Sequence, residues 1–346
     1  MHRQKVPPAL LRSRRYQSTS TPFPRPFRFY LGASFAGKPP HPQVAALRRD
    51  NVGFPPDSPI ARWRDRTLAM RKSVQSRSAG EDFFYIQEMR NHSGVAFGVA
   101  DGVGGWVESG VDPSLFSQSL MYHASKYAES AWAGEPESDP SDSSPVEGWE
   151  LTPKECLEQA HQGVLRDRSV KAGSSTACLI HLNARSGLLR AANLGDSGFA
   201  IFRGATLHHV QQPQTHFFNC PWQLAKLPSM TKQYKDAYVD RAEGADEYST
   251  ALRGGDVIVA FTDGLSDNVF PAELLSISSL VSRSGVSESQ QAQDLADCIV
   301  QYAQACMHNK SRLSPFERAA GREGLYYRGG KPDDVTVVTA LVAEEV

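Results

Sequence analysis

Four strand-like runs follow one another between Thr176 and Val210: Thr176 to Leu182, Leu188 to Asn193, Gly198 to Phe202 and Thr206 to Val210. The links between them are only a few residues long and carry Gly, Asp or Asn. A parallel pairing needs a crossover of about a dozen residues or more, so these links predict an antiparallel meander. Three further runs read as strands: Ser93 to Ala100 (SGVAFGVA), Asp256 to Thr262 (DVIVAFT) and Val335 to Val342. Helical spacing covers Pro113 to Trp132, Thr152 to Arg166 and Gln290 to Met307. In the last of these Ala292, Leu295, Ala296, Ile299, Val300, Ala303 and Cys306 fall on one face. Strands and helices thus come in blocks rather than alternating. The expectation is one α+β domain with two antiparallel sheets flanked by helices, a four-layer α-β-β-α sandwich.

The net charge of -1 conceals an asymmetry, because residues 1 to 49 hold ten Lys/Arg and no Asp or Glu. The remainder has 27 basic against 38 acidic residues, a net of -11. An acid-free, Arg-rich, Ser/Thr-containing N-terminus has the composition of a mitochondrial transit peptide, and Arg14-Arg15-Tyr16 before Gln17-Ser18 resembles a processing site. Residues 1–49 are accordingly read as presequence and linker, 50–70 as linker and 71–346 as the folded domain, with order beginning near Arg71. Glu135 to Val146 is acidic and rich in Pro and Ser, the mark of a surface insertion. An acidic body argues against a nucleic-acid enzyme, which needs a basic face. No apolar stretch approaches the roughly 18 residues of a membrane span. The five cysteines, Cys156, Cys178, Cys220, Cys298 and Cys306, are odd in number and lack a CxxC, so neither a disulfide framework nor a thiolate zinc site is expected.

Carboxylates recur at the ends of the strand-like runs: Glu81-Asp82, Asp101-Gly102, Asp263-Gly264 with Asp267, and Asp333-Asp334. One Asp-Gly pair is ordinarily just a turn. Several together offer an all-oxygen environment of the kind that hard cations such as Mg²⁺ and Mn²⁺ prefer. Two such ions about 3.5 to 4 Å apart activate water and clamp a phosphoryl group.

Six ordered motifs carry a resemblance: Gly80-Glu81-Asp82, Ala100-Asp101-Gly102-Val103-Gly104-Gly105, Gly173-Ser174-Ser175-Thr176-Ala177, Asn193-Leu194-Gly195-Asp196-Ser197, Thr262-Asp263-Gly264-Leu265-Ser266-Asp267-Asn268 and Lys331-Pro332-Asp333-Asp334-Val335-Thr336-Val337. In this order they resemble the PPM, or type 2C, protein phosphatases, over about residues 70 to 345. Gln214 to Asn219, with Pro221 and Gln223-Leu224, is similar to the mitochondrial subgroup. The resemblance implies that Asp101 bridges two Mn²⁺ or Mg²⁺ ions. Asp263 and Asp333 would complete one site, and Glu81 with the Gly102 carbonyl the other. Asp196 and Asp267 match a third, weaker position. Asp82 and Asp334 would support the ligands, Asp334 by holding Asp333. Arg77, four residues before Glu81, matches the family's phosphate-holding Arg. The implied reaction is in-line attack on phosphoserine or phosphothreonine by a hydroxide bridging two metals. The implied substrates are phosphoproteins of the mitochondrial matrix or inner membrane, those of ubiquinone biosynthesis among them, and a monomer is expected.

One position departs from the family pattern. Many members have His directly after the Asp-Gly pair, where it helps protonate the leaving group, but here Val103 stands there, and the proton donor is unassigned. His216 would serve only if folding brought it near. Other readings are weaker. Gly195-Asp196-Ser197-Gly198 matches the setting of a trypsin-like nucleophile, but Phe199 replaces the third Gly and no Ala-Ala-His-Cys element lies upstream. Gly102-Val103-Gly104-Gly105 lacks the Gly-Lys-Ser/Thr of a phosphate loop. A rival from another class is a catalytically silent phosphatase-like module that binds phosphoproteins. Such a module should have lost metal carboxylates, whereas this chain keeps each one that maps.

Overall fold

The computed structural model describes residues 24–49, 53–70, 78–136, 148–228 and 238–345. In chain order the elements are β1 (Phe27–Ala36), α1 (Pro42–Arg49), α2 (Pro59–Ala69), β2 (Asp82–Glu88), β3 (Gly94–Asp101), α3 (Ser114–Ser130), α4 (Pro153–Arg166), β4 (Gly173–Ser175), β5 (Ala177–Asn183), β6 (Leu188–Leu194) and β7 (Gly198–Arg203). There follow β8 (Thr206–Val210), β9 (Thr215–Phe217), β10 (Cys220–Pro221), β11 (Leu224–Lys226), β12 (Asp246–Ala251), β13 (Asp256–Phe261), α5 (Asp263–Ser266), α6 (Pro271–Val281), α7 (Glu288–Met307), α8 (Pro315–Arg322) and β14 (Val335–Glu344).

Two five-stranded antiparallel sheets form the centre, one ordered β1-β14-β13-β7-β8 and the other β12-β6-β5-β3-β2. Their facing sides interlock through Phe84, Phe97, Ile180 and Leu189 from one sheet and Phe199, Ile201, Ile258 and Val338 from the other. Helices cover both outer faces. The buried stripe of α7 (Leu295, Ile299, Val300, Ala303) packs with Val259, Val335 and Val337 of the first sheet. On the other side α3 and α4 lay Phe116, Leu120, Leu157 and Val164 against Phe83, Tyr85, Ala96 and Leu179. The four-layer α-β-β-α sandwich expected from the sequence is the architecture found. Each layer boundary buries apolar area and so contributes to the hydrophobic stabilisation of the whole.

Two expectations need correction. The runs from Thr176 to Val210 do not form one meander: β5 pairs β6 in one sheet, while β7 pairs β8 in the other. The chain changes sheet at Gly195-Asp196-Ser197, where Gly195 takes φ +97°, a region open to Gly because it lacks a β-carbon. The second correction concerns the domain boundary, since order begins well before Arg71. β1 pairs with β14 along its whole length, from Phe27 opposite Glu344 to Ala36 opposite Val335. The Ser34 hydroxyl donates to Asp297 of α7 at 3.0 Å. α2 starts where the Ser58 side chain accepts the Ala61 N–H, with Pro59 in the first turn. Its Trp63 then packs on Phe83 and Tyr122, at ring separations of 5.4 and 5.5 Å. The stretch assigned to linker therefore supplies an edge strand and a core helix. Residues 1–23 of the expected presequence and 137–146 of the expected insertion lie outside the described residues. Among the described residues no helix is long and apolar enough to cross a membrane, and all five cysteines are free.

Candidate active site

The carboxylates named from the sequence gather at one end of the sandwich because each closes or opens a strand there. Asp82 begins β2 and stands opposite Asp101, the last residue of β3. Phe261, at the end of β13, pairs with Val337 of β14 and with Gly198 of β7. The residues just beyond those pairs are Asp263, Asp334 and Asp196, so the register alone brings three segments together. The Thr262 N–H donates to the Thr336 carbonyl at 3.1 Å and fixes this junction. Asp101 is positioned through its carbonyl, which accepts the Thr176 N–H at 3.0 Å and the Ser175 hydroxyl at 2.7 Å.

Two lysines stand among these acids, and neither was singled out from the sequence. The Lys331 ammonium lies 2.7 Å from Asp263 Oδ2, 2.7 Å from Asp267 Oδ2 and 3.2 Å from Asp333 Oδ2. The Lys38 ammonium lies 3.0 Å from Glu81 Oε2, 2.8 Å from Asp333 Oδ1 and 3.4 Å from Asp334 Oδ2. Lys331 directly precedes the Pro-Asp-Asp of a motif already noted, which was the available signal. Lys38 follows β1 in the stretch read as linker, and gave none.

The Asp334 N–H donates to Asp333 Oδ1 at 3.0 Å, while the Asp334 carboxylate is engaged elsewhere. Its Oδ2 accepts the Glu81 N–H at 2.9 Å and its Oδ1 accepts the Lys38 N–H at 2.6 Å, so it ties the start of β2 to the turn after β1. Asp82 is buried and accepts the Thr262 hydroxyl at 2.7 Å. The Gly102 N–H donates to the Glu81 carbonyl at 3.1 Å, which keeps that loop on Glu81. Arg77 lies outside the described residues. His216 is held elsewhere: its Nε2 is 2.9 Å from Asp240 Oδ2 and its ring stacks on Trp222 and Tyr238. Its described partners are structural ones. A cavity of about 490 Å³ opens beside Asp196, Asp263 and Asp267, walled by Phe218, Leu274 and Phe316.

The electrostatics report an excess of negative charge. Burial, then the neighbouring carboxylates, push Asp101, Asp82 and Asp196 well above the usual range. Asp267 is pushed up to about 7 by burial and by Asp263, with Lys331 opposing. Burial acts upward on Asp263 too, but Lys331 outweighs it and holds that carboxyl below its ordinary value. Burial alone would lower Lys38 and Lys331, yet the acids around them raise both.

The chain is 34% identical over 286 residues to the protein phosphatase PTC7 homolog fig of Drosophila willistoni, covering 82% of this chain and 84% of that one. It is 35% identical over 276 residues to the human protein phosphatase PTC7 homolog, covering 79% and 84%. Among solved structures, the photosystem II phosphatase PBCP matches with a TM-score of 0.61 and 25% identity, over 91% of this chain and 98% of that one. No protein-family model matches the chain. Fold and relatives together define a type 2C (PPM) protein serine/threonine phosphatase. Within that family the chain belongs with the PTC7 homologues.

Membership implies a divalent-metal centre, and the residues present fit one. Asp82 Oδ1 and Asp263 Oδ1 are buried with no hydrogen-bond partner, a costly state that a cation or its water would relieve. The donors are all oxygen, as Mg²⁺ and Mn²⁺ prefer. Among the described residues no three acidic, His or Cys side chains form a ready cage, for ammonium groups stand between them.

Proposed function

We propose that this phosphatase acts on phosphoserine and phosphothreonine of mitochondrial proteins through a centre of two divalent ions, Mn²⁺ or Mg²⁺. The convergence of carboxylates from separate strand ends carries the reading. Divalent ions, when bound, supply an activated water and positive charge for the phosphoryl group. The chain's own residues hold and orient that centre. Glu81, Asp101, Asp263 and Asp333 are the ligands, with the Gly102 carbonyl. Asp82 holds the Thr262 junction, and Asp334 fixes Glu81 from behind. Lys38, half-buried on the turn after β1, and Arg77 are the cations that meet substrate phosphate oxygens, Arg77 by its two-pronged fork. The cavity walled by Phe218 and Phe316 gives the residue flanking the phosphoamino acid a place beside the centre. No cysteine has a part in this scheme, and no phosphoenzyme forms.

The basic, acid-free start of the chain supports import into mitochondria. Phosphoproteins of the matrix or inner membrane, those of ubiquinone biosynthesis included, are then the accessible substrates. A fusion of residues 1–26 to a fluorescent reporter should enter mitochondria, and a cytosolic reporter would remove this part of the reading. The chemistry is tested on a phosphothreonine peptide with Mn²⁺ or Mg²⁺. Phosphate release that needs the metal and is lost in Asp263→Asn supports the enzyme. Binding of phosphoprotein without turnover by the wild-type chain would sink it in favour of a silent module.

A further inference from the structure

Lys331 is aimed at the acidic cluster by contacts that act on its backbone as well as its side chain. Asn268 grips that backbone from both sides: its Oδ1 accepts the Lys331 N–H at 2.8 Å and its Nδ2 donates to the Lys331 carbonyl at 2.9 Å. The two preceding residues are pinned as well. The Gly329 N–H donates to Glu317 Oε2 at 2.7 Å, the Ser314 hydroxyl donates to the Gly329 carbonyl at 2.7 Å, and Lys310 Nζ donates to the Gly330 carbonyl at 2.6 Å. Below the ammonium lies the Phe316 ring, 5.1 Å from Nζ to centroid. A cation over an aromatic face with carboxylates on its other side is held from both directions. Its side chain is 17% exposed, against 34% for Lys38.

The two lysines therefore differ in kind. Lys38 is half-buried on the turn after β1, its ammonium between Glu81 and Asp333. In the proposed centre those two carboxylates would serve different ions, so the Lys38 ammonium would have to leave them. Lys331 meets Oδ2 of Asp263, Asp267 and, at 3.2 Å, Asp333. Asp263 Oδ1 stays unpartnered on the other side of its carboxylate, so the ammonium lies on the side where Asp196 and Asp267 were expected to take a third ion. A divalent ion at Asp267 would share that carboxylate with an ammonium already bonded to it, and the like charges would repel.

We propose that Lys331 is a permanent cation of the centre, standing in for a third metal, so that the enzyme works with two divalent ions and one built-in ammonium. The inference rests on the phosphatase reading but concerns stoichiometry rather than turnover. The ammonium fixes the orientation of the Asp263 carboxylate through its 2.7 Å contact with Oδ2, and it supplies fixed charge at Asp267, 2.7 Å away, where a weakly held ion would exchange with solvent.

The test counts bound Mn²⁺ by the loss of the free-ion electron paramagnetic resonance signal. It uses the full chain stripped with EDTA and dialysed, as wild type, Lys331→Arg and Lys331→Met. Two ions per chain are expected in wild type and in Lys331→Arg, and three in Lys331→Met, the added one weaker. A wild-type count other than two overturns the proposal, as does a folded Lys331→Met chain that still stops at two. Should Lys331→Met fail to fold, the wild-type and Lys331→Arg counts decide alone. Phosphopeptide turnover is measured on the same samples. A wild type that turns over with three ions overturns this inference and leaves the phosphatase reading standing; one that binds two and turns over nothing does the reverse.

Discussion

Gly264 and Asp334 approach so closely that a β-carbon on Gly264 would lie 2.9 Å from the Asp334 carbonyl carbon and overlap its oxygen. The neighbour is backbone at the start of β14, which cannot turn aside. Gly264→Ala must therefore push α5 off that strand, and α5 carries Asp263 with Asp267 at its end. We expect a destabilisation of about 1–3 kcal/mol, the usual cost of overpacking, and a loss of metal-dependent turnover. Gly105 has nothing within 4 Å of the same added carbon. Gly105→Ala should stay within about 0.5 kcal/mol of wild type in urea denaturation.

Thr262 joins three segments with one hydroxyl. It donates to Asp82 Oδ2 at 2.7 Å and accepts the Thr336 N–H at 3.0 Å, and all three residues are buried. Thr262→Val keeps the shape and removes both bonds. A buried carboxylate and a buried N–H left unpaired cost about 1–3 kcal/mol each in partner-deletion series. The midpoint in urea should fall with the slope unchanged, since no surface is newly exposed. Thr262→Ser should recover most of the loss. A Val variant as stable as wild type would mean that water replaces the hydroxyl.

Metal removal should expose the repulsion that the centre contains. Asp101 has its carboxyl pushed well above the usual range, by burial first and then by Asp82 and Asp263. A carboxyl whose folded pKa is raised costs the fold stability once pH exceeds its unfolded value, so at pH 7.5 in EDTA Asp101 is a cost. Asp101→Asn should then melt at a higher temperature than wild type in EDTA. With Mn²⁺ at a hundred times its dissociation constant the wild type gains about 2.7 kcal/mol, and the variant should gain far less. The order of the two melting temperatures is predicted to reverse between the conditions.

The sheets and the carboxylates were legible because both write themselves locally. Short runs with Gly, Asp or Asn links mark β5 to β8, the apolar face of α7 repeats at helical spacing, and Asp-Gly pairs punctuate strand ends. What escaped was non-local. β1 is an edge strand of mixed burial with Arg28 and two prolines just ahead of it, so composition outweighed its pattern until β14 supplied the partner. Lys38 escaped for the same reason, since its N–H meets Asp334 across 296 residues of sequence. Lysine is ordinarily a solvated residue, and only assembled geometry shows these two among acids. The single meander failed at Gly195, where a turn that looks like any hairpin link passes the chain to the other sheet.

His181 should make the protein acid-sensitive, chiefly through its burial. It lies on β5, nearly inaccessible, with Nδ1 3.0 Å from the Leu151 carbonyl and no partner for Nε2. A carbonyl only accepts, so Nδ1 carries the proton and Nε2 is bare. Protonating Nε2 would bury an unpaired charge, and burial, assisted by Arg190, pushes the imidazole down to about 4 despite the Leu151 bond. The unfolded chain takes up that proton near 6.5, so between pH 6.5 and 4 the unfolded state holds a proton that the folded state refuses. Stability must fall as pH falls through this window, at up to about 1.4 kcal/mol per unit. Asp267 and Asp334, pushed up to about 7 and about 6, run the opposite way without metal, so wild type alone would mislead. His181→Gln retains an N–H for Leu151 and cannot titrate. The stability difference between wild type and His181→Gln should shift against wild type by about 2 kcal/mol between pH 7.5 and pH 5. A difference that stays flat across that range would mean that His181 is protonated or hydrated within the fold.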